Sequence, residues 1–163
     1  MEKLLEKKTA IITGAANGVG QIISQKFSEE GANLILADMD ESNLKKEADL
    51  IRKGGSHVEI FCGDLRQNLT IKNLLALSTK TFKNIDILVN ASRQVTISHP
   101  LDSDDMFFEE LMSQNVGVNL KLSREVAKKM ISQNVSQPDS GNAIGSIVNL
   151  SSIASHRTLP DTL

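Results

Sequence analysis

Thr13-Gly14-Ala15-Ala16-Asn17-Gly18-Val19-Gly20 stands between a short β-branched run, Thr9 to Thr13, and a segment in which Val19, Ile22, Ile23 and Phe27 recur at helical spacing. A strand that turns sharply into a helix is the plainest reading of that change of period. Glycines at 14, 18 and 20 permit the tight turn, let the backbone approach a pyrophosphate closely, and let the helix pack against the strand. The free N–H groups and the positive dipole end of the helix then face an anion. A glycine triplet alone fits an ordinary strand-to-helix turn equally well, so context has to separate the two.

That context is Leu34-Ile35-Leu36-Ala37-Asp38, a second apolar run ending in a carboxylate eighteen residues beyond Gly20. At the end of the second strand an acidic side chain accepts hydrogen bonds from the ribose hydroxyls of a bound dinucleotide and repels a 2′-phosphate. Asn17 brings no compensating positive charge. The spacing therefore predicts NAD rather than NADP as cofactor. The competing reading of Asp38 is a solvated carboxylate at a strand end.

Working outward, short apolar runs alternate with longer segments of helical period, the pattern of strand-helix-strand units that build a parallel sheet. Strands are predicted at Thr9 to Thr13, Asn33 to Ala37, Val58 to Phe61, Ile85 to Val89 and Ser146 to Leu150. Their apolar positions are nearly continuous, as in strands covered by helices on both faces. Helices are predicted from Gly18 to Glu30, with Val19, Ile22, Ile23 and Phe27 inward, and from an N-cap at Asp40 to Gly54-Gly55, with Leu44, Ala48 and Ile51 inward. A third runs from Gln67 to Phe82. A long fourth, Asp104 to Ser132, carries Phe108, Leu111, Met112, Val118, Leu122 and Val126 on its apolar face. Gln133 to Ala143 loses all apolar period and reads as a loop. The fold class expected is α/β, a doubly wound parallel sheet of Rossmann type with five strands, in one domain spanning 1–163.

Composition narrows the partners. The 163 residues carry a formal charge of −2, with Lys and Glu interspersed, which argues against nucleic acid. No stretch reaches the roughly 20 apolar residues that span a bilayer, and the first eight residues lack the pattern of a secretory signal. Cys62 is the only cysteine, so no intrachain disulfide forms and a cytoplasmic location is expected. Cys62 itself reads as a buried structural thiol rather than a reactive one. His57, His99 and His156 are scattered without ligand spacing, so no metal site is expected. His99 with Pro100, and His156, are surface positions or pocket walls.

The glycine spacing, with three residues between the first two glycines, resembles that of the short-chain dehydrogenases/reductases, and four further features agree. Asp64-Leu65 after the third strand resembles the pair that contacts adenine in that family, the Asp through its side chain and the Leu through its backbone. Asn90-Ala91-Ser92 is similar to the family's Asn-Ala-Gly, whose Asn steadies the sheet and whose next residues lie against the cofactor. Ser92 stands in place of that Gly, and Ser does not tolerate a left-handed backbone as Gly does. Asn115, fifteen residues before Met130, matches the Asn of the family's helix motif, with Asn119 as the competing position. Gly145 to Ser152 resembles the fifth strand and catalytic Ser, with Ser152 in the catalytic place and Ser151 as the alternative.

The resemblance implies Asn115 and Ser152 as catalytic residues and Gly14, Asn17, Gly18, Val19, Gly20, Asp38, Met39, Asp64, Leu65, Asn90, Ala91 and Ser92 around NAD. It also implies a homodimer or homotetramer and hydride transfer between the cofactor and a secondary alcohol or ketone, of 3-oxoacyl or hydroxysteroid type. The family's general acid is a Tyr, placed at position 165 by counting from Ser152. The 163 residues contain no Tyr. The expectation is therefore either an oxidoreductase whose polypeptide continues with the rest of the fold, or a dinucleotide-binding chain without catalysis.

Overall fold

The computed structural model describes residues 3–95, 105–134, 144–153 and 156–157. Five parallel strands, β1 (Thr9–Thr13), β2 (Asn33–Asp38), β3 (Val58–Cys62), β4 (Ile87–Asn90) and β5 (Ser146–Asn149), form one sheet in the order β3-β2-β1-β4-β5. The chain builds outward from β1 on one side, then returns to add β4 and β5 on the other. That reversal leaves a crevice above the carboxyl ends of β1 and β4, the place where doubly wound sheets bind ligands.

Alternate residues of the central strands feed two cores. Ala10, Ile12, Leu34 and Leu36 face α1 (Gly18–Glu29) and α2 (Glu41–Lys53), where Leu44, Ala48 and Ile51 meet them. Ile11, Ile35 and Leu88 face α3 (Asn68–Phe82) and α5 (Val118–Asn134), against Ile71, Leu74, Leu122 and Val126. Every residue of β1 is buried, which explains its unbroken apolar sequence. Asp40 caps α2 as expected, its carboxylate accepting from the Asn43 amide at 3.0 Å.

Several expectations need correction. The inward face of α1 is carried by Gly20 and Ser24, with Ile23 and Phe27 half-buried, whereas Val19 and Ile22 are exposed. A Cβ at Gly20 would stand 2.2 Å from the Gly14 carbonyl oxygen, so the helix lies too close to β1 for larger residues to face it. Cys62 is exposed, at the end of β3 where the strand leaves the core.

The long fourth helix is not uniform. It comprises α4 (Asp105–Met112), one π turn (Ser113–Gly117) and α5, and Phe108 and Met112 are exposed while Leu111, Val118, Leu122 and Val126 are buried. The wider turn shifts the helical phase between the two parts, so one stripe cannot serve both. β4 begins at Ile87, because the backbone N–H and C=O of Ile85 are taken by the Gln133 side chain, each at 3.1 Å. Gln133 accordingly belongs to α5, and the rest of the expected loop, 135–143, lies outside the described residues, as do Asp104, His99 and Pro100.

Candidate functional site

The crevice at the sheet's switch point is a cleft of about 1270 Å³, more than the roughly 300–1,000 Å³ of a drug-sized pocket and suited to an extended ligand. Its base is where the loop after β1 meets the loop after β4. A Cβ on Gly14 would lie 2.8 Å from the Ser92 Cα, and Gly14 also has φ of +66°, so space and conformation both demand glycine there. The buried Thr13 hydroxyl ties the loops together, accepting from the amides of Ala91 at 3.1 Å and Ser92 at 3.2 Å. Ser92 does not take a left-handed backbone. Among the described non-glycine residues only Lys7 and Lys83 have positive φ, so the Ser in place of Gly is accommodated without strain.

Asn17 precedes α1 with an extended backbone and a side chain that does not cap the helix, and no acidic residue occupies the first turn. The amides of that turn are therefore available to an anion. Asp38 reaches back over the turn. One carboxylate oxygen accepts from the Ala16 amide at 3.0 Å, the other from the amides of Met39 at 2.7 Å and Asp40 at 3.1 Å. A carboxylate has about four lone-pair sites, so Asp38 keeps capacity for a ligand hydroxyl.

The cleft collects Gly14, Asn17, Gly18, Val19, Asp38, Met39, Leu65, Ala91, Ser92, Asn115 and Ser152 from six different segments of the chain. Three expected residues stand behind it. Gly20 is buried against Gly14. Asn90 is buried at the end of β4, its Nδ2 donating to Ser123 Oγ at 2.9 Å and to Asn149 Oδ1 at 2.7 Å. Asp64 is held by Arg66, whose Nε donates to both carboxylate oxygens at 3.0 Å and whose Nη2 lies 2.9 Å from Oδ2. The guanidinium holds the Asp64 carboxyl below the usual carboxylate range, and Asp64 in turn raises Arg66.

At the other end of the cleft, Asn115 lies in the π turn rather than on a buried stripe. Its Oδ1 accepts from the Gln94 amide at 2.7 Å and its Nδ2 donates to the Gln94 carbonyl at 2.9 Å. Asn119, one turn on, donates to the Asn115 carbonyl at 2.9 Å, while its buried Oδ1 has no donor among the described residues. Both asparagines line the cleft, with Ser151 and Ser152 beyond the end of β5. His156 is exposed and does not line it.

Sequence reasoning missed Thr13, Arg66, Glu110 and Gln94. Thr13 had the signal of a hydroxyl just before the first glycine. Arg66, two residues from Asp64, was legible as a charge partner. Gln94 acts through its backbone, for which the side-chain sequence gives no sign.

The comparisons with known proteins agree with this geometry. A family model described as short chain dehydrogenase matches residues 8–162. An uncharacterized oxidoreductase of Thermotoga maritima is 25% identical over 159 residues, 98% of this chain and 59% of that protein. Oxidoreductase UcpA of Salmonella typhimurium is 32% identical over 149 residues, 91% of this chain and 53% of that protein. A solved short chain dehydrogenase/reductase from Burkholderia phymatum, in complex with NAD, matches with a TM-score of 0.87 and 26% identity over 99% of this chain and 54% of that one. The chain spans a little over half the length of the relatives it matches.

Proposed function

The chain belongs to the short-chain dehydrogenases, and from that premise we propose that it binds NAD in the cleft and serves hydride exchange with a secondary alcohol or the matching ketone, of 3-oxoacyl or hydroxysteroid type. The observation that carries the reading is the cradle itself: Gly14 and Gly20 leave no room for a Cβ, the α1 amides are open to a pyrophosphate, and Asp38 stands within the same cleft. When bound, the nicotinamide supplies two-electron chemistry at the substrate carbon.

In this reading the chain's own residues bind and orient. The first turn of α1 holds the phosphates, and the remaining acceptor capacity of Asp38 takes a ribose hydroxyl while its charge disfavours a 2′-phosphate. Leu150, Ala91 and Leu111 line the apolar walls that exclude water near the reacting centre. Ser152 donates a hydrogen bond to the substrate oxygen, and Asn115 fixes the loop at Gln94 that borders the same space. An NAD-bound structure among the similar proteins supports the choice of cofactor. The exposed Leu120 and Ile131 on α5 suit a homodimer or homotetramer, and the single thiol suits the cytoplasm. The alternative reading is dinucleotide binding without turnover.

Titration of NADH by its own emission tests the binding, and the chain helps by containing neither Trp nor Tyr. Saturable binding is expected, with NADPH weaker. Asp38→Ala should reduce the preference for NADH over NADPH by a factor on the order of ten, the worth of a hydrogen bond to a charged group. An unchanged preference would remove Asp38 from the ribose. Turnover of a 3-oxoacyl or hydroxysteroid substrate then separates the enzyme from the binding protein.

A further inference from the structure

α5 has two faces. Val118, Leu122, Val126 and Met130 recur every four residues and are buried. Lys121, Arg124, Glu125 and Lys128 follow the i, i+3, i+4, i+7 spacing of a second stripe, and this one turns toward α3. With Asn68, Lys72 and the buried Ile71 of α3 it lines a groove of about 330 Å³. The chain as a whole has a formal charge of −2, yet the groove gathers four cations around one carboxylate. Lysine and glutamate interspersed in the sequence give no sign of this, because the cluster exists only once α3 and α5 lie side by side.

The charges are only partly balanced within the protein. Lys128 Nζ lies 2.7 Å from a Glu125 carboxylate oxygen, and Lys121 Nζ donates to the Arg66 carbonyl at 3.4 Å. Among the described residues neither Lys72 nor Arg124 has a carboxylate within ion-pair distance. The Glu125 carboxyl is held below its usual range first by Lys128 and then by the charges of Arg124 and Lys72, so the field of all three converges on one point. The first turn of α3 carries no acidic residue to offset it.

Like charges on facing helices repel one another in the free groove and favour an anion between them. Arg124 offers a planar fork that matches phosphate oxygens, and the lysines are adaptable point charges beside it. The stripe from Lys121 to Lys128 rises about 10 Å along the helix, more than one phosphate covers. The volume is that of a small-molecule site. We propose that the groove between α3 and α5 is a second anion site, separate from the cleft, that takes a small ligand bearing two or more phosphate groups. This inference does not rest on the NAD-binding reading.

Inorganic pyrophosphate titrated into the isotope-labelled chain, with amide chemical shifts as the readout, gives location and affinity together. Saturable shifts are expected in the first turn of α3 and from Lys121 to Lys128, distinct from any at the α1 turn, where the cofactor reading places phosphates. Lys72→Gln combined with Arg124→Gln should weaken binding at the groove about tenfold and leave the α1 shifts unchanged. Glu125→Gln removes the competing carboxylate and should tighten it about two- to fivefold, the worth of one exposed charge contact. Both effects should shrink as salt is raised. The spectrum of each variant reports whether it is folded. Absence of saturable shifts at the groove would overturn the proposal, as would unchanged affinity in the folded double variant or no gain in Glu125→Gln. Sedimentation of the chain with phosphatidylserine vesicles, without any groove response to free pyrophosphate, would overturn it in favour of a lipid surface.

Discussion

The two flanks of β1 are held by contacts of different reach. On the β2 and β3 side, the elements follow one another in sequence, β1 and β2 are buried almost throughout, and the decisive side-chain contact, Asp38 to the Ala16 amide, spans 22 residues. On the β4 and β5 side, Gln133 holds Ile85 across 48 residues, Asn90 holds Asn149 across 59, and no residue of β5 is fully buried. The first flank is specified by turn chemistry and hydrophobic period. The second depends on polar side chains that find partners far away in sequence.

Gly20→Val breaks the first flank most severely. Its side chain would be driven into the Gly14 carbonyl, a rigid backbone group, and α1 would have to move off β1. Overpacking of this kind costs about 3 kcal/mol or more, and displacing the helix opens the turn that receives the pyrophosphate. Denaturant unfolding should show the loss of stability, and NADH titration the loss of binding. Wild-type stability in this variant would mean that the close approach of helix and strand is dispensable.

Thr13→Val tests the seam between the flanks. The hydroxyl accepts from two amides of the β4 loop, 78 and 79 residues away, and valine keeps the shape while removing the acceptor. Leaving part-buried amides without a partner costs about 1–3 kcal/mol in total where solvent reaches them only in part. Dinucleotide affinity should fall too, because Gly14 and Ser92 are packed backbone to backbone beside that hydroxyl. Unfolding and binding measured on the same preparation check both effects.

This contrast also explains what could be read from the sequence. The five strands, their parallel arrangement and the glycine turn follow from period and turn residues, which act locally, and they are found within two residues of the expected bounds. The burial of α1 was misjudged because Gly20 and Ser24, and not the larger Val19 and Ile22, face the sheet. Helical period identifies a stripe, but the closeness of the neighbouring strand decides which stripe is used. The π turn and the role of Asn115 were hidden for another reason. The Asn115 side chain is held by the backbone of Gln94, and a backbone partner has no signature in the residue that supplies it. Gly14, Asp38 and Ser152 line the cleft because the turn and the strand ends place them there, whereas Asp64 is paired with its neighbour Arg66 and does not line it.

Gln133→Ala probes the second flank alone. It removes the partner of both the N–H and the C=O of Ile85 and should destabilise the chain by about 1–2 kcal/mol. Amide hydrogen exchange should show the effect concentrated in β4 and α5, with β1 to β3 protected as before. Uniform loss of protection would show that the flanks open together and would end the distinction drawn between them.

The smallest effect belongs to the ionic link that crosses from one flank to the other, Asp64 to Arg66 to Glu110. Arg66 holds the folded-state pKa of Asp64 below its unfolded value, so the stabilisation is present in full above about pH 4 and is lost as pH falls through the depressed value. Partial exposure and salt screening keep the contribution within about 1 kcal/mol, and the Glu110 arm, more than half exposed, adds little. Urea unfolding at pH 6 and pH 3 should therefore show a slightly larger acid loss in the wild-type chain than in Asp64→Asn, whose side chain does not titrate. At high salt the difference should shrink. Equal acid loss in the two proteins would mean that the link holds Arg66 at the cleft without contributing to stability.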